Sequence, residues 1–125
     1  MPSILVVDDE ADVRHLLRLV LERAGHEVLE ASNGKEAMKE IRRRTFNLVI
    51  TALFMPEQEG LETIRALKKE YSGLPIIAMS DRFRNFSQGD LLNMAVALGA
   101  NASMQKPLSA GVVLETVQAV LASPK

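Results

Sequence analysis

Short apolar runs alternate along this chain with stretches in which apolar residues return every three or four positions, and that alternation leaves few ways to fold. Ser3 to Val7 ("SILVV") is short, continuous and β-branched, as in a strand covered on both faces. Val13, Leu16, Leu17, Val20, Leu21 and Ala24 then mark one face of a helix, which Gly25 closes as a C′ residue. Glu27 to Ala31 ("EVLEA") mixes polar and apolar residues, which suits an edge strand. Asn33 with Glu36 three positions on resembles a capping box opening a helix that contains Ala37, Met38 and Ile41. A third strand lies in "NLVITALFMPEQEG" (Asn47 to Gly60), and Gly60 leads into a helix carrying Leu61, Ile64, Leu67 and Tyr71.

Pro75 starts a fourth strand, "PIIAM", as proline can at a strand's first position. A polar loop, "SDRFRNFSQGD", precedes a helix with Leu91, Leu92, Ala95 and Leu98 that ends near Gly99. "NASMQ" is a weak final strand, and Ala110, Val113, Leu114, Val117, Val120 and Leu121 mark the last helix. Repeated βα units imply a parallel sheet between two helical layers. The most apolar strands (first, third, fourth) belong at the centre and the more polar second and fifth at the edges. The expected fold is therefore α/β and flavodoxin-like, a doubly wound five-stranded parallel sheet in the order 2-1-3-4-5 with five helices. Residues 1–125 are expected to form one domain, a normal size for a single core.

Composition excludes several classes of function. A net charge of −1 and a pI near 6.1 argue against binding nucleic acid or other polyanions. Without cysteine there is no disulfide framework, thiolate zinc site or thiol nucleophile. No apolar run reaches the ~18 residues of a membrane span, and no signal-peptide pattern precedes the first strand. A cytoplasmic protein is the simplest expectation.

In open α/β sheets ligands bind beyond the carboxyl ends of the strands. Asp8 and Asp9 end the first strand, followed by Glu10; Ser80 ends the fourth; Lys106 and Pro107 follow the fifth; Ala52 ends the third. Each has a bland role when taken alone. Aspartate before a helix is commonly a cap, Ser80 a turn-former, Lys106 a solvated charge. Gathered around one crevice, they read differently. Adjacent carboxylates repel unless a cation sits between them, and hard oxygens at a crevice suit Mg²⁺. Metal, lysine and hydroxyl would clamp a phosphoryl group, but the clamp lacks a nucleophile.

"ILVVDDE", "LVIT-x-L-x-MPxxxG", a serine ending the fourth strand and "KP" after the fifth together resemble a response regulator receiver domain of bacterial two-component signalling (CheY-like) over essentially the whole chain. The resemblance implies that Asp8 and Asp9 hold Mg²⁺, with the backbone carbonyl of Phe54 as a further ligand. It implies that Lys106 contacts the phosphoryl oxygens and that Ser80 is the switch hydroxyl. In the family, the position of Ala52 is an aspartate that takes a phosphoryl group from a histidine kinase.

The chain departs from that pattern in four places. Ala52 has neither a lone pair nor a titratable proton, so it cannot accept a phosphoryl group, and Mg²⁺ loses one ligand. Ser103 stands where an aromatic rotor often couples to the switch hydroxyl. Asp81 follows Ser80, where a small residue is usual. The loop from Ser80 to Asp90 is long and carries Phe83 and Phe86, which are expected to pack on the fourth helix, with a partner-binding patch as the alternative. Thr51 and Ser80 are poor substitute acceptors: Thr51 faces the other side of the sheet, and Ser80 has no evident general base.

The expected function is a phosphorelay receiver that cannot be phosphorylated at the usual position and that is not an enzyme. Its partners would be a sensor histidine kinase or phosphotransfer protein. An output protein or second copy would meet the face of the fourth helix, fifth strand and fifth helix. Either a natural pseudo-receiver or a deliberate phospho-dead variant fits. Intact Asp8, Asp9, Ser80 and Lys106 favour the second, whereas Asp81 and Ser103 favour the first. A Mg-dependent phosphohydrolase using Asp8 and Glu10 is the alternative, and a nucleotide-binding module lacks the Gly-rich turn it needs. "RRR" (Arg42 to Arg44) reads as a solvated helix end, His15 and His26 do not form a metal pair, and the six methionines read as packing.

Overall fold

The fold is taken from a computed structural model, which describes residues 2–53, 60–80, 93, 96, 97 and 99–122. Strands β1 (Ser3–Val7), β2 (Glu27–Ala31), β3 (Leu48–Ala52), β4 (Ile76–Ser80) and β5 (Ala102–Gln105) form one sheet in the order β2-β1-β3-β4-β5. Every neighbouring pair is parallel. Four helices are described from end to end: α1 (Ala11–Arg23), α2 (Gly34–Arg43), α3 (Gly60–Glu70) and α4 (Ala110–Ala122). Five were expected. The missing one falls between β4 and β5, where Asn93, Val96 and Ala97 are helical and their neighbours lie outside the described residues.

Polarity sorted the strands as expected. Ile4 to Val7 of β1 and all of β3 and β4 are buried, because helices cover both faces of the sheet centre. α1 packs against α4 and α2 against α3, giving the two layers. β2 and β5 are only partly buried and take the edges.

At the amino ends of the strands two asparagines extend the ladder with their side chains. Asn47 accepts from the Ser3 amide at 2.8 Å while its own amide donates to the Ser3 carbonyl at 2.8 Å. Asn101 makes the same pair of bonds with Ile76, at 2.9 and 2.7 Å. α1 ends at Gly25, whose φ of +92° only glycine adopts without strain. The Gly25 amide donates to Glu22 at 3.0 Å and the His26 amide to Leu21 at 3.1 Å, the paired bonds of a Schellman motif. At the start of α2, Asn33 Oδ1 accepts from the Glu36 amide at 2.9 Å, as the sequence pattern predicts. The return bond differs: Glu36 accepts from the amide and hydroxyl of Ser32, each at 2.8 Å, one residue earlier than a standard capping box. Those two donors hold the Glu36 carboxyl below its usual value.

Candidate functional site at the strand tips

Backbone bonds that run past the strand ends fix the site. The Asp8 amide donates to Ala31 at 3.1 Å, that of Leu53 to Met79 at 2.9 Å, and that of Lys106 to Ser80 at 2.8 Å. In the β1–β3 register Val7 stands opposite Thr51, so the next step brings Asp8 level with Ala52. The side chains at these tips therefore start from a rigid frame.

Asp8 and Asp9, adjacent in sequence, separate in environment. Asp8 is fully buried and Asp9 is exposed. One Asp8 oxygen, Oδ1, accepts from the Glu10 amide at 2.9 Å. The other, Oδ2, lies 2.8 Å from Lys106 Nζ, with the two side chains 0% and 10% exposed. That contact is an ion pair out of line for a hydrogen bond. Glu10 reaches the same ammonium at 3.8 Å from an exposed position. The helix-cap reading is not met, since the residue that precedes α1 at its N-cap is Glu10, which makes no side-chain cap bond.

Two residues that the sequence reading passed over support this tip from the side. Arg14 Nη1 donates to the Asp8 carbonyl at 2.7 Å, and its Nε bonds Glu30 of β2 at 3.0 Å. Arg18 Nε bonds the other Glu30 oxygen at 2.6 Å. Burial works against the Glu30 charge, yet the bonds from Arg18 and Arg14 outweigh it and hold the carboxyl below its usual value. The available signal was a pair of arginines four apart on α1 beside a glutamate in an otherwise apolar strand.

Ala52 is 2% exposed and packs as a core methyl. Thr51, also buried, uses its hydroxyl on the Ala52 carbonyl at 3.1 Å. Ser80 is buried at the end of β4 and takes the Lys106 amide on its carbonyl. Ser103 pairs with Ala78 in the sheet, two residues short of Gln105 opposite Ser80. Phe54, Asp81, Phe83 and Phe86 lie outside the described residues. Beside the tips runs a groove of about 490 Å³, lined by Val13, Leu16, Pro107 and Leu108 together with Glu10, Asp12 and Lys106.

Asp8, Asp9 and Glu10 offer carboxylate oxygens within 4.8 Å of one another, the only such group of metal-capable side chains among the described residues. A buried carboxylate oxygen without an aligned donor and hard exposed oxygens beside it fit a cation such as Mg²⁺.

A 2-1-3-4-5 parallel sheet with an acidic first tip and a lysine after the last strand defines the receiver class of two-component signalling. Residues 4–118 match the response regulator receiver domain family, and the chain belongs to it. Among curated relatives, it is 33% identical over 119 residues to the alkaline phosphatase synthesis transcriptional regulatory protein PhoP of Bacillus subtilis, covering 95% of this chain and 48% of that one. It is 32% identical to the CAI-1 autoinducer sensor kinase/phosphatase CqsS of Vibrio cholerae, covering 93% of this chain and 17% of that one. The chain thus spans about half, or less, of the length of these relatives. Among solved structures, the receiver domain of NtrX from Brucella abortus superposes with a TM-score of 0.89 at 28% identity, covering 97% of this chain and 99% of that one. Chemotaxis protein CheY4 of Vibrio cholerae gives a TM-score of 0.85 at 29% identity, covering 96% and 98%. Family members generally bind Mg²⁺ at the acidic pocket and work with sensor kinases and output domains. Among the described residues no helix is long and apolar enough to cross a membrane.

Proposed function

We propose that this receiver domain takes no phosphoryl group at the end of β3 and signals through protein contacts, without enzymatic turnover. One observation carries the reading: the residue level with Asp8 on the neighbouring strand is Ala52, a buried methyl with no atom that can attack phosphorus. The rest of the clamp remains, with Lys106 balancing Asp8 one charge against one. Asp8 and Asp9 would hold Mg²⁺, with Phe54 as the further ligand that the family pattern implies. When bound, the ion supplies positive charge against phosphoryl oxygens. Asp8 Oδ1 accepts from the Glu10 amide, and Oδ2 lies against the Lys106 ammonium.

The partner would be a sensor histidine kinase or a phosphotransfer protein meeting the tips and the groove beside them. An output protein or a second copy would cover the face made by the helix predicted after β4, by β5 and by α4. α4 suits that role: Val112 is 48% exposed, and Glu115 is the helix's one charged residue. A cytoplasmic location fits these partners.

The test treats the chain and its Ala52→Asp variant with Mg²⁺ and a small phosphodonor and reads intact mass. The variant gains one phosphoryl group and the chain itself gains none. Incorporation into the unaltered chain would overturn the reading.

A further inference from the structure

At the opposite end of the sheet lies a larger groove, about 1020 Å³, that the receiver reading leaves without a role. Arg42, Arg43, Arg44 and Lys68 line it, and no carboxylate does among the described residues. Cations in the last turns of α2 and α3 complement the helix dipoles. That accounts for charge at those turns, but not for a groove whose lining is of one sign.

Lys68 is set into this groove with some care. Its stem lies along Gly99, where an added Cβ would sit 2.8 Å from Lys68 Cγ. Gly99 also has φ +104°, a backbone conformation that favours glycine, and a side chain there would make the Lys68 stem shift. The amine donates to the Leu74 carbonyl at 3.0 Å, a neutral acceptor that an uncharged amine can also satisfy. Burial pushes the Lys68 ammonium below its usual value. By contrast, the adjacent Lys69 is exposed. Arg42 and Arg43 are 60% and 70% exposed and reach Glu70 and Glu40 only at 3.5 Å, loose pairs that an incoming anion can replace. Arg44 is held by Glu27 and lies over the Phe46 ring.

We propose that Lys68 is a modification site, acylated by acyl phosphates whose phosphate is held by Arg42 and Arg43. The Lys68 nitrogen forms a C–N bond to the acyl carbon, and the C–O bond to phosphate breaks. Phosphate leaves with that electron pair, and the proton lost from nitrogen passes to water. The product amide keeps one N–H for Leu74 and removes a positive charge from the groove.

The test incubates the whole chain with acetyl phosphate and follows acetylation at each lysine by peptide mass spectrometry. Lys68 should be acetylated several-fold faster than Lys69. The Arg42→Gln/Arg43→Gln double variant should lose that preference while melting as the parent does. With N-hydroxysuccinimidyl acetate, whose leaving group is not a phosphate, parent and double variant should label Lys68 equally. Three results overturn the proposal: Lys68 no faster than Lys69, an undiminished preference in the double variant, or an equal drop with both reagents.

Discussion

The tips of β1 and β3 are neighbours in one sheet and are buried to nearly the same degree, yet they carry opposite chemistry. Asp8 follows β1 with a carboxylate, one oxygen on a backbone amide and the other against Lys106. Ala52 ends β3 with a methyl group. A buried charge is tolerable only when it is paired and hydrogen-bonded, and the single ammonium of Lys106 matches a single buried carboxylate. A second carboxylate level with Asp8 would leave an excess negative charge and a demand for another cation. The contrast teaches that Ala52 changes the charge balance of the site as well as its chemistry.

The largest effect should come from breaking the paired tip. Lys106→Met leaves Asp8 buried and without its ammonium, and urea unfolding should show a loss of about 3–5 kcal/mol. Adding Asp8→Asn to Lys106→Met should recover most of it. A Lys106→Met chain as stable as the parent would mean that water or another group serves Asp8.

Making the two tips alike is the second test. In the absence of Mg²⁺ the Ala52→Asp variant should melt below the parent, because two carboxylates then share one crevice. Mg²⁺ at 100 times its dissociation constant should return about 2.7 kcal/mol to the variant, and less to the parent at the same concentration. Equal Mg²⁺ stabilisation of the two in thermal melts would remove Ala52 from the account of metal affinity.

The smallest effect concerns the support behind Asp8. Glu30→Gln weakens the bonds from Arg14 and Arg18, a part-exposed network that water screens, so the loss at neutral pH should be about 1 kcal/mol or less. Glu30 binds its proton more weakly folded than unfolded. Its contribution is therefore present above the ordinary carboxylate value and disappears as pH falls through the depressed one. Melts of parent and variant across that acid range should converge at the low end. A gap that persists there would assign the effect to packing.

Much of the fold was legible because burial leaves a plain mark on composition. Strands covered on both faces are mostly apolar, so "SILVV" and "PIIAM" read as central and "EVLEA" as an edge. The tip residues were legible from their place at the ends of those runs. What each tip does was harder to read. "DD" gives no hint that Asp8 is sealed while Asp9 faces water, since that depends on which way the pleat turns at Val7. The direct Asp8–Lys106 contact and the role of Arg14 depend on side-chain reach across α1, β1 and the end of β5, which spacing along the chain does not encode. The basic groove was hidden for a similar reason: its cations come from two helix ends that only the assembled sheet brings together, and in sequence they read as solvated.

Lys106 and Asp8 meet across almost the full length of the chain. While the protein is being made, everything through β4 can emerge before the residue that neutralises Asp8. Until Lys106 arrives, the Asp8 carboxylate at the tip of β1 lacks the ammonium that faces it in the folded chain. The end of β5 therefore completes a charge balance that the end of β1 begins.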